Sequence, residues 1–256
     1  MSTYQFLTIS IDNHVATVTL NRPEVRNAFN EVLINELTRV FLDISSNTNV
    51  RAVVLAAQSP SFCAGADLNW MKQMAKYSFD ENYQDAMGLA IMLNTIYDTP
   101  VPVIARVHGD AYAGGMGLVS VCDIVVASEN VNFCLSEAKL GLLPATIAPY
   151  VVMAMGQQAA RRYFVTAEKF TARQAQAMGL VHELCELERL DETIDAITSQ
   201  IVANGPMAVR ACKRLVKDVA HREINESLMS DTATWIAEIR TSDEAQARMK
   251  SFLEKK

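Results

Sequence analysis

VIARVHGDAYAGGMGLVSVCDIVVAS, residues 103–128, carries the fold decision for this chain. It opens on a short apolar run, Val101 to Val107, of the kind a buried strand shows. Small residues follow from His108 to Gly115, where a backbone can turn tightly and approach a neighbour. Gly114 to Val121 then reads as the start of a helix, and Cys122 to Ala127 as another apolar strand. Strand, small-residue turn, helix and strand in quick succession point to an α/β body.

The same order appears upstream. Leu7, Ile9 and Ile11 alternate with polar residues, and Val15 to Leu20 alternates again after Asp12-Asn13-His14, which predicts a hairpin. Pro23 breaks the ladder. From Asn30, a candidate cap, Val32, Leu33, Leu37, Val40, Phe41 and Ile44 fall at helical spacing. Val50 to Ala57 is a second buried-strand run, and it leads into another small-residue turn, FCAGADL at 62–68. Pro149–Met155 and Ala159–Phe164 read as helix. The last third is helical by period over 172–178, 190–203, 207–219 and 227–239, with Gly205-Pro206 as a stop and restart. The expected division is an α/β core over 1–195 and a helical region over 196–256.

Composition narrows the function classes. Of 256 residues, half are hydrophobic and a fifth charged, which is ordinary globular usage with ample material for a core. A net charge of −6 argues against a nucleic-acid footprint, which would need clustered Lys and Arg. No stretch approaches the roughly 18 apolar residues of a membrane span. The N-terminal MSTYQFLTISIDNHVATVTL lacks the basic start and apolar block of a signal peptide. Five dispersed cysteines, an odd number without CxxC spacing, suit free thiols in a reducing compartment, so the cytoplasm is expected.

The chemistry sits in the two small-residue turns. Each follows a strand and can leave amide N–H groups unpaired and aimed outward. Two such turns could direct two donors at one oxygen, with a helix N-terminus behind the second. Neither turn matches the GxxxxGK[ST] phosphate loop. Four histidines (His14, His108, His182, His221) show no metal spacing. No motif places a histidine beside Cys63, and Ser136 lies in no GxSxG elbow.

Several blocks together carry a family resemblance. FCAGADLNWM resembles the FxAGADL block of the crotonase (enoyl-CoA hydratase/isomerase) superfamily, and residues 103–128 are similar to its VIAAVxGxAxGGGxELAxxCDxxxA block. NRPEVRNAFN at 21–30 and FTARQAQAMGLVHEL at 170–184 match further segments, in the family's order. The resemblance implies a spiral of ββα turns with two roughly perpendicular sheets, followed by a C-terminal helical trimerisation region. It also implies a homotrimer or homohexamer.

For the site, it implies that the N–H groups of Ala66 and Gly114 form an oxyanion hole for a thioester carbonyl. Glu137, in FCLSEAKLGLLP, falls where the family carries a catalytic glutamate. Ala64, Asp67 and Leu68 would meet the adenine end of coenzyme A, with Arg26 near its phosphates. Phe252 and Lys255 match positions that reach a neighbouring subunit's coenzyme A. Coenzyme A would arrive as part of an acyl-CoA substrate, with no separate cofactor, no metal, no nucleic acid and no membrane. Trp70 and Met71 would be core or acyl-pocket lining.

The pattern departs at Gly117, where the standard hydratase has a second glutamate. Three readings stay open. GADLNWM, the 133–151 stretch ending PATIAPYV, and ARRYFVTAEKF resemble bacterial hydratases of 3-methylglutaconyl-CoA or isohexenylglutaconyl-CoA, which serve leucine and acyclic-terpene breakdown. On that reading Glu137 protonates carbon and helps hold water, while the substrate's distal carboxylate supplies charge; Arg161 and Arg162 are the basic pair for it. The second reading is a single-glutamate Δ3-Δ2 enoyl-CoA isomerase. The third is a non-catalytic member that binds acyl-CoA.

Overall fold

The structure is a computed structural model and describes residues 4–254. Its strands are β1 (Leu7–Asp12), β2 (Val15–Leu20), β3 (Ala52–Ala57), β4 (Ser61–Cys63), β5 (Val103–Val107), β6 (Asp110–Tyr112), β7 (Ile124–Ser128), β8 (Asn132–Cys134), β9 (Lys169–Thr171) and β10 (Glu183–Cys185). Its helices are α1 (Glu31–Ser46), α2 (Leu68–Met74), α3 (Phe79–Tyr97), α4 (Gly114–Ser120), α5 (Ala148–Thr166), α6 (Ala172–Ala177), α7 (Leu190–Ala203), α8 (Pro206–Val219), α9 (Glu226–Thr241) and α10 (Asp243–Glu254).

Two sheets result. The larger runs β1-β2-β3-β5-β7-β10 and the smaller β4-β6-β8-β9. The β1–β2 hairpin is antiparallel, as the alternation predicts, and every other pair of the large sheet is parallel. β3 is buried along its whole length because it lies inside a sheet covered on both faces. Its side chains alternate in destination. Val53, Leu55 and Ala57 enter the main core, while Ala52, Val54 and Ala56 face α7 through Leu190 and Ile194.

The ββα unit explains the repeat felt in the sequence. β3, β5 and β7 join the large sheet, and each is followed within a few residues by a three-residue strand, β4, β6 or β8, that crosses to the small one. The small-residue stretches therefore include these short strands, β4 ending inside 62–68 and β6 lying within 108–115. α1 begins at its expected cap: Asn30 Oδ1 accepts from Leu33 N at 2.9 Å. The two helical runs expected at 149–155 and 159–164 belong to α5, which is interrupted at Gly156, where φ is 78° and ψ 156°.

After α7, which spans residues 195 and 196, burial falls away. α8 and α10 bury no residue and α9 only Leu228. Among the described residues the cysteines are unpaired, and no helix is long and apolar enough to cross a membrane.

Candidate functional site

Strands β4, β6 and β8 are adjacent and parallel, with Cys63 opposite Ala111, Ala111 opposite Phe133, and Tyr112 opposite Cys134. Parallel strands end on one edge, and neighbours lie about 4.8 Å apart. The segments they release are 64–67, 113–114 and 135–137, so Ala66, Gly114 and Glu137 leave the sheet side by side. Ala113 N donates to Cys134 O at 2.8 Å and ties the second segment to the third.

The first turn is built against residues 22–29. Ala64 N donates to Arg26 O at 3.0 Å, Phe29 N to Gly65 O at 2.7 Å, and Asp67 N to Phe29 O at 2.8 Å. Phe29 thus bridges Ala66 by bonding its two flanking residues, in the parallel manner. In that pattern the N–H of the flanked residue points away from the partner, so Ala66 N–H faces outward from Phe29. Gly65 has φ +97°, a conformation open to glycine. A Cβ added there would stand 3.0 Å from the Ala113 Cβ, so the two turns touch.

Gly114 begins α4, where the first N–H groups of a helix have no intrahelical partner. A Cβ at Gly114 would lie 2.8 Å from Cδ2 and Cε2 of Phe29, and one at Gly115 would lie 2.6 Å from Cys63 O. Small residues here reflect close approach to the first turn. Ala113, just before them, holds φ 46° and ψ −117°, a sparsely populated conformation for a residue with a Cβ.

Glu137 opens a short 3-10 turn and is half-buried. Its Oε2 is buried and has no hydrogen-bond partner among the described residues. Burial raises its pKa above the ordinary carboxyl value, against a smaller lowering from its own backbone N–H. A carboxyl so placed keeps its proton to higher pH and can give it to carbon. At the place of the family's second glutamate, Gly117 is packed under Ile147 and Leu93, whose Cδ2 would stand 3.3 Å from an added Cβ.

The remaining expected residues fall as follows. Arg26 and Ala64 are brought together by their main-chain bond, and Arg26 is exposed in a left-handed conformation with φ 54°. Leu68 is exposed beside them. Asp67 is buried, and its side chain is engaged: Oδ1 accepts from Asn69 N at 2.7 Å, capping α2, and Oδ2 pairs with Arg22 Nη2 at 2.9 Å. Its main chain is engaged as well, N–H to Phe29 O at 2.8 Å and C=O from Met71 N at 2.9 Å, so Asp67 shapes the turn. Phe252 lies on α10, whose main neighbour in the chain is α9. Lys255 lies outside the described residues.

Of the residues set aside, Cys63 is fully enclosed and its thiol is pushed up to about 12 by burial, so it is no thiolate at neutral pH. Its Sγ donates to Asn27 O. His108 Nε2 lies 2.6 Å from Ser59 O, and His182 Nδ1 accepts from Val125 N. No cluster of His, Cys, Asp or Glu that could hold a metal occurs among the described residues. Trp70 is buried and its Nε1 donates to Asp85 Oδ1 at 3.1 Å. Arg162 is bound to Glu168 at 2.7 Å on the surface.

A cavity of about 1590 Å³ lies elsewhere, between α8 and the large sheet, and is lined by none of the residues expected to bind or react. Lys213–Asp123 and Lys217–Asp98, both at 2.7 Å, are ion pairs in its lining.

Three features were missed in the sequence: Phe29, Ile147 and the strained Ala113. Phe29 and Ile147 each lie inside a quoted block, but neither block assigns them a role, and Ile147 is 30 residues from Gly117.

A mixed α/β fold with two sheets carries two small-residue turns and one half-buried carboxyl at one edge of the smaller sheet. The chain belongs to the enoyl-CoA hydratase/isomerase family, whose model matches residues 10–256. It is 32% identical over 251 residues to a short-chain-enoyl-CoA hydratase of Clostridium acetobutylicum, covering 96% of this chain and 93% of that one. The crystal structure of an enoyl-CoA hydratase from Shewanella pealeana superposes with a TM-score of 0.95 at 38% identity, covering 98% of this chain and 94% of the other. One from Mycobacterium smegmatis gives 0.93 at 35%, with coverage of 98% and 97%.

Proposed function

We propose that this chain is an enoyl-CoA hydratase, adding water reversibly to the double bond of a branched α,β-unsaturated acyl-CoA of the 3-methylglutaconyl or isohexenylglutaconyl type. The observation that carries the reading is the shared edge of β4, β6 and β8, from which Ala66, Gly114 and Glu137 emerge together. The N–H groups of Ala66 and Gly114 donate to the thioester oxygen as negative charge develops on it, and such donors contribute about 3–4 kcal/mol each in comparable sites.

Water oxygen bonds to the β-carbon, and the double-bond electrons move into the thioester enolate. The Glu137 proton then goes to the α-carbon as the enolate collapses, and the proton released by water returns to the Glu137 carboxylate. Atoms and charge balance without metal or further cofactor. Arg26, the 64–67 turn and Leu68 hold coenzyme A, and Phe252 and Lys255 reach that of a neighbour. The dicarboxylic substrate class rests on the resemblance of the 133–151 stretch. With Arg162 already bound to Glu168, that surface gives it little support.

A homotrimer or homohexamer completes the proposal. Its support is the amphipathic α8 with no buried residue, and the exposed Leu215, Val216, Met229, Ile236, Phe252 and Leu253 on α8–α10. Sedimentation equilibrium at micromolar concentration tests it. The cytoplasm is supported by the unpaired cysteines.

One observation favours a second reading. Ile147 and Leu93 crowd the place of a second carboxylate, and a single glutamate suffices for a Δ3-Δ2 isomerase, which moves one proton between two carbons. Separate incubation with 3-methylglutaconyl-CoA, a linear 2-enoyl-CoA and a 3-enoyl-CoA distinguishes them. Hydration of the branched ester supports the proposal, and double-bond migration in the 3-enoyl ester without hydration replaces it. Tight binding of all three without turnover would make the chain a non-catalytic acyl-CoA binder.

A further inference from the structure

Phe29 grips the first turn with its main chain and backs the second with its side chain. Its N–H and C=O bond Gly65 O and Asp67 N on either side of Ala66, at 2.7 and 2.8 Å. Its ring is seated on Gly114, at 2.8 Å from where a Cβ would be. The side chain is 1% exposed, so the ring has no room to swing away.

The segment bearing Phe29 is itself clamped. Arg22 Nη1 donates to Ala28 O at 2.6 Å while Nη2 holds Asp67 Oδ2 at 2.9 Å. Asn27 Nδ2 reaches Gln58 O, Ser61 O and Phe62 O, at 3.0, 3.3 and 3.2 Å. Residues 27–29 therefore move with the first turn as one body. The turns also meet directly, Gly65 against Ala113 and Gly115 against Cys63, and the Phe29 ring packs against Gly114 beside those contacts.

We infer that Phe29 is a positioning residue whose ring thickness sets the separation of the Ala66 and Gly114 N–H donors. This rests on the proposed role of those two donors. Shortening the side chain leaves coenzyme A's own contacts in place but lets the start of α4 settle toward the vacated volume. The donors then meet the developing oxyanion poorly, and a transition-state contact is lost while ground-state binding stays.

The test compares wild type, Phe29→Leu, Phe29→Met and the control Phe41→Leu, a fully buried residue of α1 that carries no hydrogen bond to either turn. Three readouts are taken: kcat and KM on an enoyl-CoA the wild type turns over, the thermal midpoint, and the absorption of a bound cinnamoyl-CoA-type thioester. That chromophore shifts to the red as its carbonyl is polarised. Phe29→Leu is expected to lower kcat roughly tenfold to a hundredfold with KM within about twofold, since a 1 Å misplacement can cost that much.

The red shift falls in parallel, Phe29→Met is intermediate, and Phe41→Leu loses thermal stability while keeping kcat and the shift. Wild-type kcat and red shift in Phe29→Leu, or an equal loss of both in Phe41→Leu, would overturn the inference alone. A wild type that leaves the chromophore unshifted would instead remove the two-donor reading, and this inference with it.

Discussion

Ile147, at the start of α5, overlaps the position a Gly117 side chain would need: an added Cβ would fall on Ile147 Cγ2 and stand 3.1 Å from its Cβ. Gly117 and Ile147 of the PATIAPYV segment are therefore packed together, the isoleucine filling with apolar volume the space a side chain at 117 would take. Gly117→Glu is expected to destabilise the chain by about 1–3 kcal/mol through overpacking, plus the cost of a buried carboxyl. Urea denaturation measures this, and Gly117→Glu with Ile147→Ala should recover part of the loss. A single variant as stable as wild type would show that the two sites are not in contact.

Glu137→Gln is expected to lower turnover by about 10²–10⁴, the usual contribution of a positioned general acid or base. It should also stabilise the fold in a pH-dependent way. Burial raises the Glu137 pKa in the folded state, so folding takes up protons between the unfolded value, about 4.3, and the higher folded one. Wild-type stability from this group is complete below that window and declines as pH rises through it. The gap between variant and wild type should widen from pH 4 to pH 8 in thermal melts. A constant gap would contradict the assignment.

Ala113 holds a conformation that costs a residue with a Cβ on the order of 1–3 kcal/mol. Replacing it by glycine removes that strain and adds about 0.4–1 kcal/mol of unfolded-chain entropy. Ala113→Gly should thus gain about 1 kcal/mol, read as a higher urea midpoint at unchanged slope. A lower midpoint would mean that the left-handed geometry is paid for by contacts of the Ala113 methyl.

The Arg22–Asp67 pair, with both side chains buried, joins the clamp to the first turn. For Asp67, burial works to raise the pKa, but the Asn69 N–H and the Arg22 guanidinium outweigh it and hold the carboxyl below its ordinary range. The stability this supplies is present above the unfolded value, about 3.9, and lost as pH falls through the lower folded one. Asp67→Asn should flatten the decline in urea midpoint below pH 4. Arg22→Ala leaves a buried charge unpaired and should cost about 3–5 kcal/mol at neutral pH.

Much of the architecture is legible in the residues themselves. β3 announces burial on both faces by its unbroken AVVLAA, and Asn30 announces the start of α1. The small sheet is not legible, because β4, β6, β8 and β9 have three residues each, too few for a period of two to show. α3 is hidden for another reason. Phe79, Tyr83, Met87 and Ile91 are exposed while Met92, Leu93 and Ile96 are buried, so its apolar residues mark no single face. At the site, the small residues of the two turns are visible in sequence, but their meeting at Phe29 is not, because its backbone and its ring contact different turns. Ile147 shows its meaning only when α5 folds back on α4.

Exchange at the α-carbon tests the central claim with the fewest intermediate steps. A saturated acyl-CoA incubated in D2O with wild type should take up deuterium next to the thioester, followed by mass spectrometry. Glu137→Gln should abolish this while still binding the ester, because polarisation by Ala66 and Gly114 persists but the proton carrier is gone. Uptake by Glu137→Gln at the wild-type rate would contradict the account.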